Sequence, residues 1–210
     1  MMPLQPSVLR TISFIDGQNL FYAVKEAFGY SFPNYDPLLL SKAVCNQLNC
    51  TLHDVYFYTG VPDPQDDAFW NHFWAAKLAQ MGRTGVKVYS RPLRYRNQTV
   101  RLSDRSPYTF LVGQEKGVDV RLALDVVRLA RKNLYDICVI FSQDQDLTEA
   151  VDEVKRIAAE TDRWIKVICA FPYSPASKNK RGIDKTDWVK INRTAYDQCI
   201  DRRDYRPKTA

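Results

Sequence analysis

Short apolar runs alternate along the chain with longer amphipathic segments, and this alternation restricts the fold more than any other feature. The clearest runs are 137–142 and 164–171, in which most residues are apolar. An apolar run of this length is typical of a strand buried on both faces of a parallel sheet. Strands of this kind that alternate with helices predict an α/β fold, a three-layer α/β/α sandwich with a mainly parallel sheet.

The remaining elements follow from the same periodicities. Strands are predicted at 11–15, 55–59, 86–90 and 188–191, and helices at 20–28, 37–48, 65–81, 118–132, 147–160 and 193–200. The stretch 92–113 is irregular, and a hairpin that turns at Asn97 and Gln98 is expected there. The predicted domain covers 11–171. An N-terminal extension (1–10) precedes it, and a C-terminal extension (172–210) packs on it or trails from it.

Composition indicates one domain with a substantial core, because 45% of the 210 residues are hydrophobic. No apolar run approaches the roughly 20 residues that span a bilayer, and the first ten residues lack the pattern of a signal peptide. A cytoplasmic protein with no membrane partner is therefore expected. The five cysteines form no CxxC pair and are interpreted as free thiols, mostly buried.

The net charge of +6 is unevenly distributed. Between Arg83 and Arg105 most charged side chains are basic, with Asp104 as the only acid. Arginines interleaved with tyrosines are suited to a polyanion whose bases can stack. The candidate phosphate contacts are Arg91, Arg94, Arg96 and Arg101. A solvated, charged loop explains the same pattern equally well.

Aspartates lie where a parallel sheet places its crevice, just beyond the carboxyl ends of the strands. Asp16 ends the first predicted strand, and Asp144 and Asp146 follow the strand at 137–141. Asp119 opens the helix predicted at 118.

Each of these polar residues also has a local explanation. Asp16 could make an Asx turn, and Asn19 could cap the helix that starts at Leu20. Asp119 complements the positive end of its helix, and Asp146 with Glu149 resembles a capping pattern.

Taken together, the acids are harder to explain locally, because carboxylates that converge on one crevice repel each other. A hard divalent cation such as Mg²⁺ removes that repulsion, since it prefers oxygen ligands. Such an ion can generate hydroxide from water and neutralise charge on a phosphate. The chain has only two histidines, whereas a metal-free ribonuclease would be expected to use histidine as acid and base.

Three segments resemble the signature segments of the NYN domain family, PIN-like nucleases related to LabA-like proteins. They are Phe14-Ile-Asp-Gly-Gln-Asn-Leu, Lys116-Gly-Val-Asp-Val and Ser142-Gln-Asp-Gln-Asp. They occur in the family's order within 11–171, with helices between them. Jointly they are far more specific than any one alone.

The resemblance implies a PIN-like fold and a metal-dependent endoribonuclease. Its implied ligands for one or two Mg²⁺ or Mn²⁺ ions are Asp16, Asp119, Asp144 and Asp146. Asn19 would position the substrate or a water molecule. Lys116, close to Asp119 in sequence, is either a phosphate contact or an exposed turn lysine. RNA is the expected partner, with DNA and a homo-oligomer left open.

The alternative is a catalytically inactive RNA-binding or regulatory protein with the same fold. It is suggested by Gln143, where the family usually has glycine, and by Gln145, where serine is common. In that case the two glutamines would mark a decayed site.

Overall fold

Strands and helices alternate through the described residues, which are 3–101, 103 and 106–207 of a computed structural model. In chain order the elements are β1 (Arg10–Asp16), α1 (Gly17–Phe28), α2 (Pro37–Leu48), β2 (Thr51–Val61), α3 (Ala68–Arg83), β3 (Lys87–Pro92), β4 (Arg94–Arg101), β5 (Pro107–Gln114), α4 (Val118–Arg131), β6 (Ile137–Phe141), a short 3₁₀ helix (Gln145–Leu147), α5 (Thr148–Glu160), β7 (Lys166–Pro172), β8 (Asp187–Ile191) and α6 (Arg193–Asp197).

Six of the strands form one sheet in the order β3-β2-β1-β6-β7-β8, and every neighbouring pair is parallel. This confirms the predicted α/β sandwich. After β1 the chain moves outward to β2 and β3 on one side, and it returns to β6 on the other side. The boundary between β1 and β6 is therefore the switch point of the sheet, where a crevice opens outside the carboxyl ends of the strands.

Helices cover both faces of the sheet and produce two separate cores. Because side chains alternate along a strand, Ile15 of β1 packs with α1, α2, α3 and α6 on one face. Its neighbour Phe14 packs with α4 and α5 on the other face. β1 and β6 are buried along nearly their whole length, so the residues that follow them stand on a rigid base. No helix among the described residues is long and apolar enough to cross a membrane.

The start of α1 differs from the expectation in a way that matters for the site. The helix begins at Gly17, and the side chain of Asp16 caps it by accepting a hydrogen bond from the backbone N–H of Asn19. The interpretation of Asn19 as the N-cap was therefore wrong. Because a carboxylate caps a helix as well as an amide does, the cap moves to the end of the strand and leaves the Asn19 side chain available.

The expected hairpin with a turn at Asn97 and Gln98 was also wrong. β4 continues through both residues and pairs antiparallel with β5, from Arg94 opposite Gln114 to Arg101 opposite Pro107. The physical reason is that the Asn97–Gln98 pair lacks the glycine that tight two-residue turns favour. Leu102, Asp104 and Arg105, which belonged to the predicted hairpin or basic segment, lie outside the described residues.

The segment after β7 closes the sheet and the first core. β8 pairs with β7, and the backbone N–H of Asp36 donates to the carbonyl of Cys199 over 2.7 Å. Lys77 is only 1% exposed. Its ammonium donates to the carbonyl of Tyr35 over 3.0 Å and pairs with Asp201 at 3.6 Å. The C-terminal residues therefore supply both an edge strand and the partner of a buried charge.

Candidate active site

A cleft of about 250 Å³ opens at the switch point. It is lined by Asp16, Gln18, Asn19, Tyr22, Glu115, Asp119 and Asp144. Four of the five polar residues predicted to form the catalytic centre therefore line one cleft, although more than a hundred residues separate the first from the last.

Asp16 is the most buried acid of the cleft. It is 7% exposed, and it ends β1, which lies between β2 and β6. One carboxylate oxygen accepts the N–H of Asn19 over 3.0 Å, and the other accepts the hydroxyl of Ser142 over 3.3 Å. Burial raises the pKa of Asp16 to about 6, the two hydrogen bonds oppose the rise, and the charges of Asp144 and Asp119 add to it. Its carboxylate is held in place in an environment that disfavours its own charge.

The loop after β6 is tied to the start of α1. The backbone N–H of Gln143 donates to the side-chain oxygen of Asn19 over 2.9 Å. The N–H of Asp144 donates to the hydroxyl of Ser142 over 3.2 Å, and that hydroxyl reaches Asp16. The oxygen of Asn19 is thus occupied, whereas its NH₂ group has no acceptor among the described residues. The NH₂ group can therefore donate to a ligand in the cleft.

Glu115 is a residue of the cleft that the sequence analysis did not assign. Its carboxylate accepts a short hydrogen bond from the backbone N–H of Gly60, at the end of β2. Burial raises the pKa of Glu115 to about 7, with a further rise from the charge of Asp16. A Cβ atom at position 60 would lie 2.3 Å from the Leu93 side chain and 2.9 Å from the Glu115 carboxylate, so a larger residue would displace these side chains. The sequence offers a weak signal, since Glu115 directly precedes the Lys116-Gly-Val-Asp segment.

Asp146 and Lys116 are not among the residues that line the cleft. Asp146 is exposed in the 3₁₀ helix, and its backbone N–H donates to Asp144 over 3.0 Å. Its side chain borders the adjoining groove between α4 and α5, which also contains Asp119. Lys116 is exposed in the turn before α4. Both residues therefore lie at the rim of the site.

The four arginines proposed as phosphate contacts do not form one cluster. Arg94 and Arg96 share a face of the β4–β5 ribbon with Tyr108 and Phe110, because directly paired residues point the same way. Because side chains alternate along a strand, Arg101 lies on the opposite face of the ribbon. Arg91 lies on β3, where its guanidinium donates to the hydroxyl of Tyr89. Only the pair on the ribbon is combined with exposed stacked rings.

The two glutamines that depart from the family pattern turn away from the acids. The amide of Gln143 donates to the carbonyl of Arg181 over 2.7 Å. The amide of Gln145 donates to the carbonyl of Gly182 over 3.0 Å and accepts the N–H of Asp184 over 3.2 Å. Both side chains therefore anchor the 179–184 loop, and neither is among the residues that line the acidic cleft.

The donor set is suited to a hard cation, since every ionisable group that lines the cleft is a carboxylate, apart from the Tyr22 phenol. Within the described part of the chain, no three His, Cys, Asp or Glu side chains are close enough together to hold one ion by themselves. Mg²⁺ fits such spacing, because it usually keeps several waters and takes one or two carboxylates.

Fold and cleft together define an α/β/α sandwich domain with an acidic crevice at the switch point of a parallel sheet. The model of the NYN domain family matches residues 10–179, and the chain belongs to this family. It is 29% identical over 151 residues to the low amplitude and bright protein LabA of Synechococcus elongatus. The matched region covers 72% of this chain and 69% of LabA.

Two solved structures are more remotely similar. Ribokinase from Giardia lamblia is 12% identical, with a TM-score of 0.34, over 82% of this chain and 54% of that one. MurG of Acinetobacter baumannii is 10% identical, with a TM-score of 0.32, over 86% of this chain and 45% of that one. The chain thus spans about half the length of each.

Proposed function

We propose that this protein is a metal-dependent endoribonuclease that hydrolyses RNA phosphodiester bonds in the acidic cleft. The observation that carries the proposal is the convergence of Asp16, Glu115, Asp119 and Asp144 on one crevice at the switch point. Membership of the NYN domain family, whose members are in general thought to be nucleases, supports the same reading.

The electrostatics of the cleft favour a bound cation. Burial and neighbouring carboxylates raise the pKa of both Asp16 and Glu115. Buried like charges of this kind lower the stability of the fold unless an opposite charge compensates them. We propose that Asp16, Asp119 and Asp144 form the site for Mg²⁺ or Mn²⁺, with one or two of them as direct ligands and the others, with Glu115, binding through water. Asp146 would contribute from the rim. When bound, such an ion neutralises charge on the phosphate and activates water.

The chain's own polar groups would orient the substrate. The NH₂ group of Asn19, which has no acceptor among the described residues, can donate to a phosphate oxygen. In the metal-free protein Glu115 has a pKa of about 7, so it can hold or release a proton near neutral pH. Lys116 can meet a flanking phosphate from the rim. Asp16 is fixed by hydrogen bonds to Asn19 and Ser142, so the acid at the centre need not reorganise.

RNA is the proposed substrate, and the β4–β5 ribbon supplies the proposed basic contacts. Arg94 and Arg96 can neutralise phosphates while Tyr108 and Phe110 offer stacking surfaces. Arg101 lies on the opposite face, so we propose that it contributes less. Arg91 is apart from the ribbon, but its guanidinium lies against Gly117, between Glu115 and Asp119, so it can contact a phosphate beside the cleft.

The test is incubation of purified protein with labelled RNA and DNA in Mg²⁺, Mn²⁺ or EDTA. Asp16→Asn nearly preserves shape and capping but removes the charge that a cation needs, so cleavage should fall by orders of magnitude. Asp162→Asn is the matched control. Asp162 is exposed in the turn between α5 and the amino end of β7, whereas the cleft lies at the carboxyl ends of the strands, and its φ of 49° suits asparagine.

The two variants separate the enzyme from its alternatives. The proposal is supported if cleavage needs a divalent ion, is lost in Asp16→Asn and is retained in Asp162→Asn. Equal cleavage by wild type and Asp16→Asn would mean that another site or a contaminant acts. Wild type that binds RNA but cuts nothing would favour an inactive RNA-binding protein.

A further inference from the structure

A second cavity, of about 270 Å³, adjoins the acidic cleft. It lies between α1, α3 and the carboxyl end of β2, and Gln18 and Tyr22 line both it and the cleft. Gly60 also borders the cavity, and its backbone N–H holds Glu115 in the cleft. A ligand in the acidic cleft could therefore extend into this cavity around the Tyr22 side chain.

The walls of the cavity are aromatic. Phe21 and Tyr22 come from α1, and Trp70 and Trp74 come from α3. Trp70 is braced from behind by Phe32 at 5.2 Å between ring centroids, whereas Tyr22 is 58% exposed at the opening. Packed rings beside an exposed one are suited to a flat, apolar ligand that stacks.

Trp74 also offers a hydrogen bond. The residue is only 8% exposed, yet its indole N–H has no acceptor among the described residues. The indole nitrogen is not among the buried side-chain atoms that lack a partner, so it reaches open space beside the ring. The cavity thus combines stacking surfaces with an unused donor, a pattern that suits a heteroaromatic ring carrying acceptor atoms.

We propose that this cavity is a subsite for one unpaired base of the strand whose phosphate lies in the acidic cleft, and that the enzyme therefore selects single strands. The inference rests on the proposed function, because the strand must pass through the cleft. A base inside a duplex is stacked and paired, so it cannot enter a walled cavity without being unpaired. Lys25, exposed at the rim, can meet the phosphate of that nucleotide.

The test measures binding in EDTA, so that it does not depend on cleavage. The probes are fluorescein-labelled oligoadenylate, the corresponding oligodeoxyadenylate, and each strand annealed to its complement. Tyr22→Ala should weaken single-strand binding about tenfold, because it removes one stacking surface. Tyr22→Phe keeps the ring and should bind like wild type. Trp74→Phe keeps an aromatic ring but deletes the N–H, and should weaken binding about fivefold.

Leu39→Ala is the control, because Leu39 is an exposed apolar residue of α2 that does not line the cavity. Its binding should equal that of wild type, and duplexes should bind more weakly than single strands. The proposal is overturned if Tyr22→Ala and Trp74→Phe bind like wild type, if the wild type prefers duplexes, or if it binds no single strand. A wild type that cuts nothing but shows the Tyr22→Ala loss supports the subsite and overturns only the nuclease proposal.

Discussion

At the residue scale, Asp16 combines roles that ordinarily belong to separate residues. It ends a central strand, caps α1 through the N–H of Asn19, and presents a carboxylate to the cleft. The capping hydrogen bond favours its charged form, but burial outweighs it and raises the pKa. Asp16 therefore destabilises the fold at neutral pH, a cost that the proposed cation would offset.

Replacement of Asp16 should reveal this conflict as a pH dependence of stability. The folded pKa is about 6 and the ordinary value is 3.8. The folded state therefore binds the proton more tightly, and wild-type stability should fall as the pH rises from about 4 to 6. In EDTA at pH 7, Asp16→Asn should be more stable than wild type by up to roughly 3 kcal/mol, and near pH 4 the difference should vanish.

Urea unfolding at the two pH values measures this difference, with Asp162→Asn as the control that should follow wild type. If Asp16→Asn proved no more stable than wild type at pH 7, the carboxylate would be better solvated than its burial indicates.

At the scale of elements, the β4–β5 ribbon interrupts the alternation of parallel strands and helices and presents two unlike faces. Arg94 and Arg96 lie on the face with Tyr108 and Phe110. The opposite face carries Tyr95, whose pKa is raised first by partial burial and next by the charge of Asp66. Acids near that face would repel a nucleic acid, so the arginine face is the better candidate for binding.

The salt dependence of RNA binding should distinguish the two faces. Arg94→Ala with Arg96→Ala should flatten the plot of log affinity against log salt by about 1.4 units, since each phosphate contact on a single strand contributes about 0.7. Arg101→Ala, on the opposite face, is the matched control and should leave the slope nearly unchanged. Fluorescence anisotropy at several salt concentrations measures these slopes. Equal slopes for the wild type, the double variant and Arg101→Ala would identify the ribbon as a solvated charged loop.

At the scale of the whole molecule, residues beyond the family match complete the core. Val189, Ile191 and Tyr196 belong to the same buried cluster as Ile15 and Phe57. The division of the chain into a domain that ends at residue 171 and an extension remains a prediction about folding units.

A chain that ends at residue 179 tests that division. It would lack β8 and α6, expose the edge of β7 and leave Lys77 without Asp201. We expect that thermal unfolding of this chain, measured by circular dichroism, no longer shows a cooperative transition. Asp201→Ala is a milder variant that removes one partner of the buried pair, and it should cost about 3–5 kcal/mol. A truncated chain that melts cooperatively near the wild-type temperature would show that the domain folds without residues 180–210, which make up most of the extension.

Binding of a divalent ion should stabilise the molecule as a whole. At an ion concentration about 100 times the dissociation constant, the gain is about 2.7 kcal/mol. In a domain of this size that corresponds to a rise in melting temperature of roughly 5–10 °C. Asp144→Asn should weaken the response to Mg²⁺ or Mn²⁺, and Asp162→Asn should retain it. Identical melting curves with EDTA and with either ion would argue against a cation in the cleft.

The sequence by itself determined the class of fold and the four polar residues of the predicted catalytic set that line the cleft. It could do so because burial on both faces leaves a continuous apolar signature in strands such as 137–141. Parallel strands also align their carboxyl ends, so the ends of β1 and β6 had to meet if the two strands were neighbours. Asp16 and Asp144 follow from that rule.

Only the tertiary structure decided the rest, because it depended on contacts between distant segments that no local pattern encodes. Glu115 enters the cleft because Gly60, at the end of another strand, leaves room for it. Asp146 lies at the rim because a 3₁₀ turn follows Asp144. The aromatic cavity exists because α3 brings two tryptophans beside α1. Periodicity reports which side chains are buried, whereas the choice of neighbour depends on how the helices pack across the sheet.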